Sequence, residues 1–147
     1  MEHSPTLREK RLLFFGILLF FFGLTTGLFI PLMANPRMGL TTHLEGVMNG
    51  IFLMILGLLW NRLQLTQQVL TITYWLALYG SFANFAAVLI AALTGAGAMM
   101  PIAGGREGLA TTEVIISFLL VSLSLAMLTV CLIVLYGLRG SVIRPKE

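Results

Sequence analysis

Four long apolar runs, separated by short polar or glycine- and proline-rich stretches, dominate the pattern of hydrophobic and polar positions. They cover approximately residues 12–33, 43–60, 69–93 and 113–138. A helix rises about 1.5 Å per residue, so each run is long enough as a helix to cross about 30 Å of hydrocarbon. An open strand would leave backbone groups unpaired in lipid. The pattern therefore predicts an all-α protein, an integral membrane four-helix bundle forming a single membrane domain over residues 1–147.

The positions of lysine and arginine predict how these spans are oriented. Most of the nine basic residues lie before the first run, between the second and third, or after the last: Arg8, Lys10, Arg11, Arg62, Arg139, Arg144 and Lys146. Only Arg37 and Arg106 lie in the other two connections. Cytoplasmic segments carry the excess of Lys and Arg, so we expect both termini in the cytoplasm. We expect a multi-pass protein of a bacterial inner (cytoplasmic) membrane, with an uncleaved first span.

Composition agrees with this picture and excludes several function classes. Hydrophobic residues make up 58% of the chain and charged residues 10%, against about 25% charged in a soluble domain. The net charge of +3 is spread over the ends of the apolar runs, with no basic face interleaved with aromatics, so the expected partner is the lipid bilayer and not a nucleic acid. The chain has no aspartate and one cysteine, Cys131, and its second histidine, His3, lies in a polar tail. Any chemistry therefore needs a cofactor.

A polar side chain inside an apolar run needs a partner in the bilayer, so each one is a candidate site residue. His43 heads a stripe of small residues in the second run, because Gly46 and Gly50 fall within about 60° of it at about 100° per residue. Glycines four residues apart are typical of close helix packing. They also clear room for a flat ligand such as a haem held by an imidazole. In that case Gly39 or Thr42 is the expected source of a carbonyl for the other ring nitrogen.

Other polar residues leave two interpretations open. Asn49 lies on a neighbouring face of the second helix and suits either a substrate oxygen or an interhelical hydrogen bond. In the third run, Ser81 and Asn84 share a face with Tyr74, forming either a polar seam between helices or a second wall of a pocket.

Two glutamates lie near the starts of apolar runs. Glu45 and Glu113 each fall in the first turn of a predicted span, where a carboxylate interacts favourably with the helix dipole. The glycine- and alanine-rich segment 94–112 before the last span serves either as a lid or as a simple connector.

The second run resembles a known family at this point. The segment His43-Leu-Glu-Gly46-Val-Met-Asn49-Gly50 is similar to the haem-binding segment of the styrene oxide isomerase family, and Phe82-Ala-Asn84 gives weaker support. Members are small four-helix membrane proteins, so the resemblance covers the architecture of the whole chain.

The resemblance implies a concrete activity. It implies a homotrimer that binds haem b near subunit boundaries, with His43 as axial ligand of the ferric iron and Gly46 and Gly50 beside the macrocycle. The iron would act as a Lewis acid on a hydrophobic epoxide, whose C–O bond opens and whose hydride migrates to give an aldehyde. Asn49 would line the pocket and carry the catalytic role.

Two positions depart from the family. An aspartate and a tyrosine flank the span-three asparagine in the family, and this chain has Gly80 and Val88 there. The leading prediction is a haem b-dependent epoxide isomerase that forms a carbonyl compound. A haem protein for electron transfer or gas sensing and a cofactor-free accessory or transport subunit are the alternatives.

Overall fold

A computed structural model describes residues 6–104 and 107–143, with side chains as far as residue 139. Within these residues the backbone forms four α-helices, three short 3-10 turns and no strand. The helices are α1 (Leu7–Phe29), α2 (Pro36–Leu59), α3 (Gln67–Thr94) and α4 (Ala110–Ile143). All four are long and apolar enough to cross a membrane. The predicted all-helical fold is therefore confirmed, while His3, Arg106, Arg144 and Lys146 lie outside the described residues.

Helix α2 begins earlier than the hydropathy pattern predicted. Asn35 caps it, since its side-chain oxygen accepts from the Met38 amide at 3.4 Å, and Pro36 occupies the first helical position. Proline suits that position because its fixed φ is already helical. The N–H that proline lacks would have no partner within the helix at that position. The helix thus starts seven residues before the predicted boundary at His43. His43 and Glu45 lie in its third turn, so the prediction that both sit near a helix start was wrong.

The helices pack mainly against their sequence neighbours, with α2 and α3 in the middle. The most apolar stretch of α3 is 56% buried and that of α4 only 17%, so the two outer helices leave most of their surface open. These open faces carry large apolar side chains, among them Phe14, Ile17, Phe21 and Leu28 on α1 and Phe118, Leu125, Leu132 and Leu135 on α4. Apolar residues on the outside of long apolar helices are what contact with lipid requires.

The connection between α3 and α4 is held by side chains at the starts of α4 and α2. The Glu113 carboxylate accepts from the amides of Gly97 at 2.9 Å, Ala98 at 3.1 Å and Gly108 at 2.8 Å. The side-chain amide of Asn35 donates to the carbonyl of Ala103 at 3.0 Å. Glu113 does lie in the first turn of α4, as predicted, but it binds the loop and not its own helix. For the described part of this segment, residues 94–104 and 107–112, these contacts favour a connector over a lid.

We expect Glu113→Gln to loosen this connection. A glutamine keeps one acceptor oxygen but loses the charge, and hydrogen bonds to charged groups contribute about 1.5–3 kcal/mol each. Hydrogen exchange at the Gly97, Ala98 and Gly108 amides should accelerate by about tenfold or more. Glu107→Gln, at an exposed position of the same connection, is the matched control and should leave these rates unchanged. Equal exchange in both variants would mean that Glu113 does not hold the loop.

Candidate functional site

The imidazole of His43 is oriented by the backbone of α1. Its Nδ1 lies 2.8 Å from the carbonyl oxygen of Gly23. A carbonyl only accepts, so Nδ1 carries a hydrogen, and in a neutral imidazole the lone pair then lies on Nε2. This is the neutral tautomer that a metal ligand needs, and a backbone carbonyl is a common partner for the other nitrogen of such a histidine.

The source of this carbonyl differs from the prediction. Gly39 and Thr42 lie on the same helix as His43, and carbonyls inside a helix point along its axis towards the amide four residues on. They are therefore turned away from the His43 ring, and the neighbouring helix supplies the acceptor instead.

Two glycines of α1 make room for His43. A Cβ added at Gly27 would lie 2.8 Å from Nδ1 of the ring, and a Cβ at Gly23 would lie 2.9 Å from the His43 carbonyl. Both distances are shorter than a real Cβ contact, so only glycine lets α1 approach this side of α2. Sequence reasoning missed these residues. Their signal was the segment Gly23-Leu-Thr-Thr-Gly27, which repeats on α1 the small-residue spacing noticed on α2.

Gly46 and Gly50 face α1 as well. A Cβ at Gly46 would lie 2.5 Å from the Cα of Gly23, and a Cβ at Gly50 would lie 2.7 Å from the carbonyl oxygen of Gly16. Helix α1 thus occupies the space above both residues. The contacts support the interpretation of this stripe as helix packing, and they give no support to a macrocycle lying against it within one chain.

Glu45 joins two asparagines from different helices. Asn49 Nδ2 donates to Glu45 Oε2 at 2.9 Å and to the Glu45 carbonyl at 2.9 Å, and Asn84 Nδ2 donates to the same Oε2 at 2.6 Å. We call these three residues the amide–carboxylate cluster. A carboxylate in an apolar helix needs donors, and here Asn49 provides one from within α2 and Asn84 provides the other from α3. The prediction linked Glu45 only to the helix dipole, but its place in the third turn gives it this other role.

His43 and the amide–carboxylate cluster lie on different sides of α2. The ring of His43 contacts α1, whereas Glu45 bonds across to α3. The two residues are two positions apart, and each position turns the helix by about 100°. The side chains of His43 and Glu45 therefore point about 160° apart around the helix axis. His43, Glu45 and Asn84 are all half-buried, so both sides reach the surface of the single chain.

The other predicted pocket residues of α3 divide into two groups. Tyr74 is 4% exposed and its ring meets Trp60 edge-on, with centroids 6.3 Å apart. It precedes Asn84 by ten residues, or about 15 Å along the helix, so it belongs to the core near the start of α3 and not to the cluster. Ser81 lies one turn before Asn84 and is fully buried, and its hydroxyl oxygen has no hydrogen-bond partner within the described part of the chain.

The two positions that depart from the family pattern are both packed. A Cβ at Gly80 would lie 2.5 Å from the sulfur of Met127 on α4, and Val88 is 3% exposed in an apolar cluster with Met38 and Ile116. Neither position offers a polar group to a substrate.

A haem fits the donor set of this chain better than a bare metal ion does. In residues 6–104 and 107–143 no group of three or more His, Cys, Asp or Glu side chains is placed to hold a metal ion. A haem brings four nitrogens of its own and needs one axial imidazole. His43, with its Nδ1 already held by the Gly23 carbonyl and its Nε2 on the other edge of the ring, meets that requirement.

An apolar groove of about 450 Å³ runs between α1 and α3. Its lining residues are Phe22, Thr25, Thr26, Phe29, Met33, Phe85, Leu89 and Leu93. The groove shares no residue with the amide–carboxylate cluster and does not include His43, so it offers an apolar surface near the site and not the site itself.

Comparison with known proteins places the chain in a family. The family model described as styrene oxide isomerase matches residues 8–139. The chain is 52% identical over 144 residues to hydroxylaminobenzene mutase HabB of Ectopseudomonas oleovorans. The aligned region covers 95% of this chain and 88% of that protein. It is 46% identical over 125 residues to hydroxylaminobenzene mutase HabA of the same organism, covering 84% and 93%. No solved structure matches the chain. With its four apolar helices and this match, the chain is an integral membrane protein, and it belongs to the styrene oxide isomerase family.

Proposed function

We propose that the chain is a membrane mutase that isomerises an aryl hydroxylamine to an aminophenol. The observation that carries this proposal is the 52% identity to a hydroxylaminobenzene mutase over 95% of the chain. A mutase moves a group within one molecule, and the hydroxyl is the group that an aryl hydroxylamine has to move. The N–O bond breaks, a bond forms between that oxygen and a ring carbon, and the ring proton is replaced by one on nitrogen. The product is an isomer, so no oxidant or reductant is consumed.

The second candidate is the isomerisation of a hydrophobic epoxide to a carbonyl compound. The family match and the His43 and Asn49-Gly50 segment favour it. Gly80 and Val88 argue against it, since they replace the aspartate and tyrosine of the epoxide isomerases with buried residues that have no polar side chain. Both reactions open a bond to oxygen in an apolar molecule and rearrange it without an outside reagent.

We propose that the cofactor is ferric haem b held by Nε2 of His43. Bound there, it would supply Lewis-acid polarisation of the substrate oxygen. The carbonyl of Gly23 holds the ring in the required tautomer, and the glycines at 23 and 27 keep that approach open. Because the His43 ring is already oriented by the Gly23 carbonyl, the ring would not have to reorient when the cofactor binds.

The remaining chemistry falls to the amide–carboxylate cluster and its apolar surroundings. Asn49 and Asn84 present amide groups to a site that reaches the bilayer, where water is scarce and polar contacts are strengthened. Since the cluster and His43 open on different sides of α2, a homotrimer of the kind the resemblance implies would let one copy's His43 meet the cluster of the next. A bacterial inner membrane would deliver apolar substrates sideways from the lipid.

Side-by-side assays of two substrates test the proposed function. Membranes containing the chain are incubated with hydroxylaminobenzene or with styrene oxide, and products are separated by chromatography. We expect aminophenol from the first substrate, well above the level in membranes from cells without the chain. Formation of phenylacetaldehyde alone would favour the epoxide isomerase, and no product from either substrate in haem-containing protein would contradict both.

A further inference from the structure

We propose that Glu45 is a positioning residue that turns the carbonyl oxygens of Asn49 and Asn84 towards the substrate, so that the site selects molecules carrying an N–H or O–H donor. This inference rests on the proposed function and deepens it, because it gives a chemical reason for preferring hydroxylamines. The juxtaposition that carries it is one carboxylate oxygen receiving two side-chain amides from two helices.

The acceptor at the centre of the cluster sets the orientation of both amides. The oxygen and nitrogen of an asparagine amide have almost the same shape, so their placement follows from hydrogen-bond partners. Oε2 of Glu45 lies 2.9 Å from one amide nitrogen and 2.6 Å from the other. Turning either amide over would set oxygen against oxygen. With Nδ2 held at the carboxylate, each Oδ1 points away from Glu45.

These two carbonyl oxygens are unused inside the chain. Among the hydrogen bonds of the described residues, none ends on Oδ1 of Asn49 or Asn84, whereas both Nδ2 atoms are engaged. Neither oxygen is fully enclosed, since Ser81 Oγ is the only enclosed side-chain polar atom without a partner among the described residues, so both are open to a ligand at the apolar surface of the chain. An acceptor that lacks a donor in an apolar setting is costly. A ligand that brings a donor relieves this cost.

The cluster therefore presents two carbonyl acceptors and a single remaining donor, the second N–H of Asn84. Hydroxylaminobenzene carries an N–H and an O–H and matches two acceptors. An epoxide carries only an acceptor oxygen, which these carbonyls would repel. A site built from unpaired acceptors rejects an analogue without donors more strongly than an apolar pocket rejects a difference in size. Glu45 would thus act on specificity through the two asparagines without touching the substrate itself.

Binding of phenol and anisole tests this inference without any need for turnover. The two compounds share a ring and an oxygen, but only phenol has an O–H. Dissociation constants are measured by equilibrium dialysis with the full chain in lipid nanodiscs, after subtraction of partitioning into empty discs. We expect the wild-type chain to bind phenol about tenfold more tightly than anisole, which corresponds to about 1.4 kcal/mol and lies within the net contribution of one hydrogen bond. Glu45→Ala frees the Asn84 amide to turn over, whereas the backbone carbonyl of residue 45 still holds Asn49, so the ratio should fall to about threefold.

Three further variants separate positioning from a general structural role. Glu45→Gln keeps an oxygen acceptor and should retain most of the preference. Thr41→Val lies one turn earlier on α2, where its hydroxyl bonds only to the carbonyl of Arg37, and should retain all of it. Asn84→Leu removes one carbonyl and should reduce the ratio to about threefold, which keeps the inference testable if Glu45→Ala does not fold.

The outcomes of binding and turnover are independent. An unchanged phenol preference in both Glu45→Ala and Asn84→Leu, or no preference in the wild-type chain, would overturn the role of Glu45 even if aminophenol forms. A preference that falls in Glu45→Ala and is kept in Glu45→Gln would support it even if the chain turns out to act on another donor-bearing substrate.

Discussion

His43→Ala is expected to yield a chain that still inserts in membranes but purifies without haem and forms aminophenol about a thousandfold more slowly. The 2.8 Å contact of Nδ1 with the Gly23 carbonyl already orients the imidazole as the proposed axial ligand. Loss of a Lewis acid that stabilises charge on a reacting oxygen costs several kcal/mol of activation free energy, and each 1.4 kcal/mol is tenfold in rate. The measurements are the Soret absorbance per chain and the initial rate.

Two controls make this result specific. Thr41→Val alters a neighbouring hydroxyl that bonds only within α2, so its haem content and rate should match the wild type. Added imidazole should restore part of the Soret band of His43→Ala, because the small base can enter the space that the side chain left. Unchanged haem content in His43→Ala would remove this residue from the cofactor site.

Gly50→Leu is expected to produce the largest structural effect, a chain that aggregates or unfolds far below the wild-type temperature. A Cβ at this position would already lie 2.7 Å from the Gly16 carbonyl oxygen and 2.7 Å from the Phe20 amide nitrogen. Both are backbone atoms and cannot move aside without separating α1 from α2. Overpacking a core typically costs about 1–3 kcal/mol, and a leucine forced against backbone should reach or exceed the upper end of that range.

Thermal unfolding in detergent and the monodisperse fraction on gel filtration measure this effect. The matched control is Ser124→Leu, which adds the same side chain at an exposed position of α4, where the hydroxyl bonds only to the carbonyl of Leu120. We expect the control to behave like the wild type. A Gly50→Leu chain that unfolds at the wild-type temperature would contradict the close packing of α1 on α2.

The helices were predictable from sequence because the membrane leaves little choice. Spans of apolar residues in lipid must satisfy their own backbone, and the four runs near residues 12–33, 43–60, 69–93 and 113–138 all became helices. Their ends were harder, since hydropathy reports lipid contact and not helix start. The signal for α2 was the Asn35-Pro36 pair, a capping side chain followed by a residue suited to the first turn.

The site was predictable only in part, for a related reason. Periodicity on one helix identifies which residues share a face, and it correctly aligned His43 with Gly46 and Gly50. It does not tell which helix lies opposite, so the Gly23 carbonyl and the bond between Glu45 and Asn84 remained hidden. Tyr74 shares a face of α3 with Ser81 but lies too far along the axis to join the cluster, because a common face does not imply a common depth.

The measurement closest to the central proposal follows the oxygen atom itself. The purified chain in nanodiscs is given hydroxylaminobenzene labelled with ¹⁸O, and the aminophenol is examined by mass spectrometry. If the hydroxyl moves within one molecule in an apolar site, the aminophenol should retain the label. The amount of labelled aminophenol should fall to background in His43→Ala. Aminophenol carrying oxygen from water, or formed equally well by His43→Ala, would contradict the assignment of this chain as a His43-dependent mutase.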